Sequence, residues 1–467
     1  MLTFPEADWI CVVGVSAELY EQYLPSLSED NKKRLIFLDP EGGATCFQHP
    51  QVAVFPARSS QEVLQAAKKI GWKSVFHTAA VVDLVKSPEL AAQFEQALIK
   101  HKEAAHLLLS DWADVGESVI KRAFAHWNSL PDVRSALSLK DRFQQIPAII
   151  CGGGPSLKKN IHHVDPDKAL IFAGGAALNQ LPIEPHFAAS IDRDASPAFF
   201  HRQPFWQIPF FYQSRMNPKN FSSLHGEKLY VPDGCYPAES WLSGSELFDG
   251  GWTVGTFLTS LAVLLGCDPI IYVGMDLCYE ETQKYAFCEA PASSEKLVET
   301  LNRFGQKVSS QRDWLMAADW MAKLASQRWD KTFVNATEGG LRLQGPIKEA
   351  SLQEVLGSLP IQPDLSGRVH AEIMTLDWMS IPLERMNEWK KSMKRCLSLC
   401  KKGLKHREPI SWDREIVYQT LLFPLWQIWG PLFERELEVD SQPMSLEEKL
   451  RLNQILFFQR VLHEQAN

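Results

Sequence analysis

A chain of 467 residues is too long for one ordinary hydrophobic core, so two or three domains are expected. Its 45% hydrophobic and 22% charged residues are typical of a globular protein, and the net charge of −8 argues against nucleic acid or an anionic membrane as a partner. The longest apolar stretch, residues 257–275, is interrupted by polar residues and Pro269, and the first ten residues contain two acids and no basic segment. We therefore expect no membrane span and no signal peptide. The nine scattered cysteines form no disulfide framework, which predicts reduced thiols and a cytoplasmic protein.

Short apolar runs near the start of the chain alternate with helical patterns at residues 17–24 and 61–69, which predicts a small Rossmann-like α/β domain over residues 1–110. The predicted strands are residues 9–14, 34–39, 52–55 and 74–78. Gly14 and Asp39 are placed like the glycine turn and the ribose-binding acid of a dinucleotide domain. However, the turn has one glycine where that fingerprint has three, which favours a structural domain over a working cofactor site.

Residues 90–129 are rich in Ala, Leu, Lys, Glu and His, with apolar side chains at helical spacing. They predict helices, and residues 130–145 predict one more. We assign residues 111–144 as a helical connector.

A glycine triplet follows a short apolar run in the middle of the chain. Ala148–Cys151 predicts a buried strand, and Gly152, Gly153 and Gly154 follow at once, with Ser156 just beyond. Glycines let an anion approach the main chain closely, and N–H groups at a helix start have no intrahelical partners. The pattern predicts a nucleotide-phosphate site, with a tight structural turn as the alternative.

Other predicted strands of this region also end in glycine or aspartate, which describes a Rossmann-like, doubly wound α/β sheet. The residues at or just beyond these ends are Gly174, Gly175, Asp192, Asp194 and Asp276. Thr253 and Gly255 begin an apolar helix in the same region. Since ligands bind at the carboxyl ends of the strands in such sheets, we expect all of these residues at one edge.

Four segments together resemble one family. They are Ile149-Ile-Cys-Gly-Gly-Gly-Pro-Ser-Leu157, Ser190-Ile-Asp192, Gly250-Gly-Trp-Thr-Val-Gly255 and Tyr272-Val-Gly-Met-Asp-Leu277, with Asn335-Ala-Thr-Glu-Gly-Gly340 further on. These motifs are similar to the MptE-like domain family, named after 6-hydroxymethylpterin diphosphokinase. Their layout is most similar to the Maf proteins (motility accessory factors), which resemble sialyltransferases. The resemblance covers residues 147–356, and we assign residues 145–358 as a nucleotide-binding domain.

The resemblance implies a glycosyltransferase that uses a nucleotide-activated, CMP-type nonulosonic acid, with a protein as acceptor. Two alternatives stay open. One is an ATP- and Mg²⁺-dependent diphosphokinase acting on a pterin, and the other is a non-catalytic nucleotide-binding protein of the same fold.

Site roles follow from these placements. Phosphate contacts are expected from Gly152, Gly153, Gly154 and Ser156, and further nucleotide contacts from Gly174, Gly175, Thr253 and Gly255. Asp276 is the first candidate for general base or metal ligand, and Asp192 the second, because it matches a family position. Asp192 and Asp194 could also hold Mg²⁺. The structural alternatives are a helix cap for Asp194 and Thr253 and a turn carboxylate for Asp276.

The character of the chain changes after residue 363. Residues 369–404, 413–437 and 446–465 predict a helical C-terminal region over residues 363–467. Pro424 and Pro431 should break or kink the second of these helices. A basic stretch between residues 390 and 407 is either a solvated helix face or a docking surface for an acidic protein.

Overall fold

The computed structural model describes residues 5–28, 32–42, 47, 49–192, 207–233, 237–246, 248–280, 283–286, 297–406, 410–436 and 444–466. The chain divides into two compact units. One is formed by Met1–Gly116 together with Lys391–Asn467, and the other by Glu117–Lys390.

The first unit contains a small parallel sheet, as the sequence predicts. Its strands are β1 (Trp9–Val13), β2 (Arg34–Asp39), β3 (Val52–Pro56) and β4 (Ala79–Asp83), in the order β3-β2-β1-β4. Helices α1 (Ala17–Tyr23) and α2 (Ser60–Lys73) follow β1 and β3. Alternate residues of β1 enter two separate cores, so both sheet faces are covered. This explains why β1 is apolar throughout and does not alternate.

The fourth strand lies five residues further along the chain than predicted. Residues 74–78 were expected as strand, but α2 continues to Lys73, a turn follows, and the strand is Ala79–Asp83. Thr78 donates its backbone N–H and its hydroxyl to Asp8, at 2.8 Å each. These bonds anchor the turn beside the start of β1.

One long helix, α3 (Pro88–Asn128), occupies the region predicted as several helices. The helix predicted for residues 130–145 is absent from this fully described segment, which instead has two 3₁₀ turns around the two-residue strand β5 (Arg134–Ser135). Asp141 and Gln145 have φ of 59° and 61°. A right-handed helix cannot continue through residues in this conformation.

Within the described residues, nine parallel strands form the large sheet of the second unit, in the order β15-β14-β11-β6-β7-β8-β9-β10-β5. Besides β5, they are β6 (Ala148–Cys151), β7 (Leu170–Gly174), β8 (Phe187–Ser190), β9 (Phe210–Tyr212), β10 (Lys228–Tyr230), β11 (Ile270–Val273), β14 (Phe333–Asn335) and β15 (Ile347–Glu349). The predicted doubly wound sheet is confirmed. Strands β6 and β11 are direct neighbours, with Ala148 paired to Ile270.

The described helices of this unit lie between and after its strands along the chain. They are α4 (Leu157–Asn160), α5 (Pro218–Ser222), α6 (Pro237–Ser243), α7 (Val254–Leu264), α8 (Arg312–Gln327), α9 (Leu352–Ser358) and α10 (Leu365–Met374). Nine of the eleven residues of α7 are buried, and an all-round apolar helix of this kind belongs in a core. An antiparallel hairpin, β12 (Val298–Leu301) and β13 (Lys307–Ser310), lies outside the large sheet.

The C-terminal region is helical, as predicted, with different boundaries. Residues 369–404 were expected as one helix but form the end of α10 and most of α11 (Leu383–His406). The break contains Met379, whose N–H binds the Val133 carbonyl at 2.7 Å, and Pro382 directly precedes α11.

Beyond α11 come α12 (Phe423–Glu436) and α13 (Leu446–Ala466). Pro431 does not end α12, and Pro424 follows a π-helical turn, Tyr418–Leu422. Such turns re-arrange the backbone hydrogen bonds that a proline would otherwise break. In the part of the chain that is described, no helix is long and apolar enough to cross a bilayer.

Candidate functional site

The glycine triplet lies where β6 ends, against the loop that follows β11. Gly152 donates its N–H to the Val273 carbonyl at 2.8 Å, and Gly154 donates to the Gly274 carbonyl at 2.9 Å. A Cβ atom on Gly152 would lie 2.4 Å from the Gly274 oxygen, which is too close for any side chain. Two of the three glycines therefore let two backbones lie in contact.

Asp276 occupies the centre of this turn. Its carboxylate accepts the Ser156 hydroxyl at 2.7 Å and the Ser156 N–H at 3.2 Å, and its side chain is buried. A Cβ atom on Gly154 would lie 2.1 Å from Asp276 Oδ2. A carboxylate of the protein itself thus binds the Ser156 groups that the sequence predicts as phosphate ligands.

Burial raises the pKa of Asp276 to about 6, although the hydrogen bonds from Ser156 oppose that shift. The nearby Glu280 carboxylate also raises this pKa, and the Lys159 ammonium lowers it. Lys159 lies 3.8 Å from Glu280, and both side chains are about half exposed. The Asp276 carboxyl therefore titrates close to neutral pH, where a general base works efficiently.

The loop after β14 also packs against Asp276. Gly340 has φ of +70°, and a Cβ atom there would lie 2.3 Å from the Asp276 Cα. Leu341 donates its N–H to the Asp276 carbonyl at 2.8 Å, and Thr337 Oγ accepts the Met275 N–H at 3.2 Å. The Asn335–Gly340 motif thus fixes the backbone that carries Asp276.

The start of α7 packs against the same strand ends. Thr253 and Thr256 form a reciprocal capping box, in which Thr253 Oγ accepts the Thr256 N–H at 3.2 Å. A Cβ atom on Gly255 would lie 2.3 Å from Met275 Cε, and one on Gly174 would lie 2.4 Å from Val254 Cγ2. Close packing is enough to explain the glycines at positions 174 and 255.

The remaining predicted residues are more widely spread. A Cβ atom on Gly153 would lie 2.9 Å from Ala176 Cβ, whereas at Gly175 the nearest atom would be 3.7 Å away, although its φ is +53°. Asp192 is exposed after β8, two strands from β6 in the sheet order. Asp194 lies outside the described residues.

The helix predicted after the triplet is a single turn, α4, so the expected helix-dipole contribution to anion binding is small. Among the residues with described positions, no group of three or more His, Cys, Asp or Glu side chains could hold a metal ion. The Mg²⁺ ligands expected at Asp192 and Asp194 stay a prediction.

Sequence reasoning missed a second buried carboxylate, Glu239 on α6. It accepts hydrogen bonds from the Ser214 hydroxyl, the Tyr230 hydroxyl and the Asp233 N–H, the last at 3.1 Å. Burial raises the pKa of Glu239 to about 7, and the Asp233 charge adds to the shift. A lone acid in the apolar segment Pro-Ala-Glu-Ser-Trp-Leu was the one sequence signal, and it is weak.

Changing Gly154 to Ala should destabilise the protein by about 1–3 kcal/mol, because the new methyl group would collide with Asp276 and with the Gly274 carbonyl. Gly357→Ala is the matched control. Gly357 lies in α9 with no atom within 4 Å of an added Cβ, so this change should be neutral or slightly stabilising. Urea unfolding of both variants measures the difference, and equal midpoints would contradict the tight packing at Gly154.

One segment of the chain matches a family model. Residues 121–282 match the family model described as "6-hydroxymethylpterin diphosphokinase MptE-like". This segment is therefore similar to MptE-like domains, as its motifs suggest.

A solved structure is similar to nearly the whole of this chain. The Maf glycosyltransferase from Magnetospirillum magneticum AMB-1 superposes with a TM-score of 0.61 at 16% sequence identity, over 98% of this chain and 74% of that one. No curated protein matches this chain. At this identity the likeness establishes the fold, and it extends beyond the MptE-like segment to nearly the whole chain.

Proposed function

We propose that this protein is a glycosyltransferase that uses a nucleotide-activated sugar, most specifically a CMP-linked nonulosonic acid. The observation that carries the proposal is the likeness of nearly the whole chain to a Maf glycosyltransferase, which includes the regions before and after the MptE-like segment. A likeness confined to the MptE-like segment would support the pterin enzyme equally well. In this proposal residues 145–358 are the nucleotide-binding domain and a protein is the acceptor.

The donor lies along the carboxyl edge of the large sheet, where ligands bind in doubly wound folds. Its phosphate lies over the glycine turn beside Ser156 and Lys159. Gly174, Gly175, Thr253 and Gly255 shape the neighbouring strand ends for the nucleotide. Asp276 lies in the same turn and accepts hydrogen bonds from Ser156, so in this proposal its carboxylate lies close to the bound phosphate.

Asp276 is the proposed general base. It removes the proton of the acceptor hydroxyl as the acceptor oxygen bonds to the anomeric carbon. The bond between that carbon and the phosphate oxygen breaks, and CMP leaves with the electron pair. The transferred proton stays on the Asp276 carboxyl until solvent removes it. Asp192, exposed at the end of β8, is the second candidate for this role.

A second function has a specific observation in its favour, which is the description of the matching family model. An ATP-dependent diphosphokinase would use the same edge of the sheet and would require a divalent cation to neutralise the transferred phosphates. Binding without turnover would indicate the third possibility, a non-catalytic nucleotide-binding protein.

Cytidine nucleotides should stabilise the protein more than other nucleotides. A ligand at 100 times its dissociation constant raises the free energy of unfolding by about 2.7 kcal/mol, so the melting temperature should rise measurably. The measurement is a thermal-shift series with CMP, CDP, UDP, GDP and ATP, each with and without Mg²⁺. Stabilisation by ATP with Mg²⁺ and none by CMP would contradict the glycosyltransferase function and support the diphosphokinase function.

A further inference from the structure

Helix α11 carries a dense row of positive charge. From Trp389 to His406 it contains seven Lys and Arg residues and no acidic residue. At 3.6 residues per turn, five of its lysines fall within an arc of about 100° of the helix surface. All five are exposed, and they form one continuous face, which we call the lysine strip: Lys391, Lys394, Lys401, Lys402 and Lys405.

The opposite face of α11 packs within the same compact unit as the strip. Ser392, Cys396, Cys400 and Gly403 are buried on that face. A Cβ atom on Gly403 would lie 2.9 Å from the Ile455 Cδ1 atom of α13. Because α13 lies so close on this side, the helix is held with the lysine strip towards solvent.

The lysine strip has no counterion in the part of the chain that the structure describes. None of its five side chains has an ion pair or a hydrogen bond to a described residue. Beside the strip, Arg395 is different, because its Nε lies 2.8 Å from Glu415 Oε1. Like charges three or four positions apart, such as Lys401 and Lys405, weaken a helix. The strip therefore costs stability, and a negatively charged partner would offset that cost.

The charge of the whole chain favours a protein over other negatively charged partners. A net charge of −8 opposes binding to an extended negative surface, such as nucleic acid or an anionic bilayer. Helices that lie on membranes also insert apolar side chains, and no apolar residue from Lys391 to His406 is exposed. A short acidic segment meets only the strip, because a Debye length of ~8 Å screens it from the rest of the chain.

We propose that the lysine strip is a docking surface for an acidic segment of a partner protein. The strip is about 21 Å long between Lys391 and Lys405, at a rise of 1.5 Å per residue. An extended segment of about six residues has the same length, at ~3.3 Å per residue. Several carboxylates of such a segment can contact the lysines at once. This inference does not depend on the proposed enzymatic activity.

A fluorescent decaglutamate peptide is the probe, and its anisotropy reports binding. The wild-type affinity should fall as salt rises from ~0.01 M to ~0.15 M, because the Debye length shortens from about 30 Å to about 8 Å. The strip variant should bind the peptide about 3- to 150-fold more weakly, as expected for the loss of three exposed ion pairs. Gln has a helix propensity similar to that of Lys, so α11 should persist in this variant, which combines Lys394→Gln, Lys401→Gln and Lys405→Gln.

The control variant removes the same charge from exposed positions of another helix in the same unit. It combines three substitutions on α2: Lys68→Gln, Lys69→Gln and Lys73→Gln. The control should bind the peptide like the wild type, and melting temperatures establish that both variants are folded. Equal losses of affinity in the two variants, or no binding of the peptide to the wild type, would overturn the docking surface and leave the strip as a solvated helix face.

Other polyanions provide the last arm of the experiment. The same proteins are titrated with vesicles of phosphatidylcholine and phosphatidylserine and with duplex DNA. We expect weaker binding to both than to the peptide. Tighter binding to either one, lost in the strip variant and kept in the control, would contradict a protein partner and assign the strip to lipid or nucleic acid.

Discussion

Replacing Asp276 with Asn should lower turnover by ~10²–10⁴-fold, the usual effect of removing a general base. Asn has nearly the same shape and can still accept the hydrogen bonds from Ser156, so the turn should keep its structure and its affinity for CMP. The measurement is release of CMP from CMP-N-acetylneuraminic acid, with water as the acceptor, beside a calorimetric titration with CMP on the same preparation.

The pH dependence gives an independent test of the same residue. A general base acts in its deprotonated form, so the wild-type kcat/KM should fall as the pH drops below about 6, the pKa of Asp276. This fall of kcat/KM at low pH should be missing in Asp276→Asn. Asp192→Asn is the comparison variant, since Asp192 is exposed at the same edge of the sheet. Normal turnover in Asp276→Asn, together with a large loss of turnover in Asp192→Asn, would identify Asp192 as the general base instead.

The second large effect should come from Glu239→Gln and concerns stability. Burial raises the pKa of Glu239 from 4.5 to about 7, so between these pH values the folded protein binds a proton that the unfolded chain has released. The free energy of unfolding must then decrease as the pH rises from 4.5 to 7, by about 3 kcal/mol in total from this group. Above pH 7 the contribution is constant.

Gln removes this titration while keeping the shape of the side chain. Its amide oxygen can accept from Tyr230 and the Asp233 N–H, and its NH₂ can donate to the Ser214 hydroxyl, which accepts as well as it donates. We expect Glu239→Gln to equal the wild type near pH 4.5 and to exceed it above pH 7. Urea unfolding across this range measures the effect. Parallel curves for the two proteins would show that Glu239 is ionised at neutral pH at no cost.

The large sheet could be predicted where strands are long apolar runs. Ala148–Cys151 and Ile270–Val273 are buried on both faces, so their sequences have no polar interruptions. Strands β14 and β15 were missed, because Phe-Val-Asn contains only two apolar residues and Ile-Lys-Glu only one. The fourth strand of the small sheet was misplaced because Val75 and Phe76 look equally strand-like in sequence.

For the candidate site, the sequence could indicate the residue types and the edge of the sheet but not the contacts. Ser156 and Asp276 are 120 positions apart, so their hydrogen bond follows from the pairing of β6 with β11 and from no local pattern. The same holds for Glu239, whose partners come from two other segments. Glycine patterns are also ambiguous, because a glycine that touches a backbone and one that touches a phosphate look alike in sequence.

The division of the chain has a consequence for the order of folding. The unit with the small sheet is assembled from both ends of the sequence: for example, Lys32 Nζ donates to the Glu434 carbonyl at 2.8 Å, across 402 positions. The unit with the large sheet is one continuous segment, Glu117–Lys390. During synthesis on the ribosome that segment emerges complete before residues 391–467 are made, and domains generally fold as units. The large sheet can therefore bury its core while the amino-terminal part of the other unit still lacks its C-terminal helices, although the two cores of the small sheet itself are built from residues 7–98.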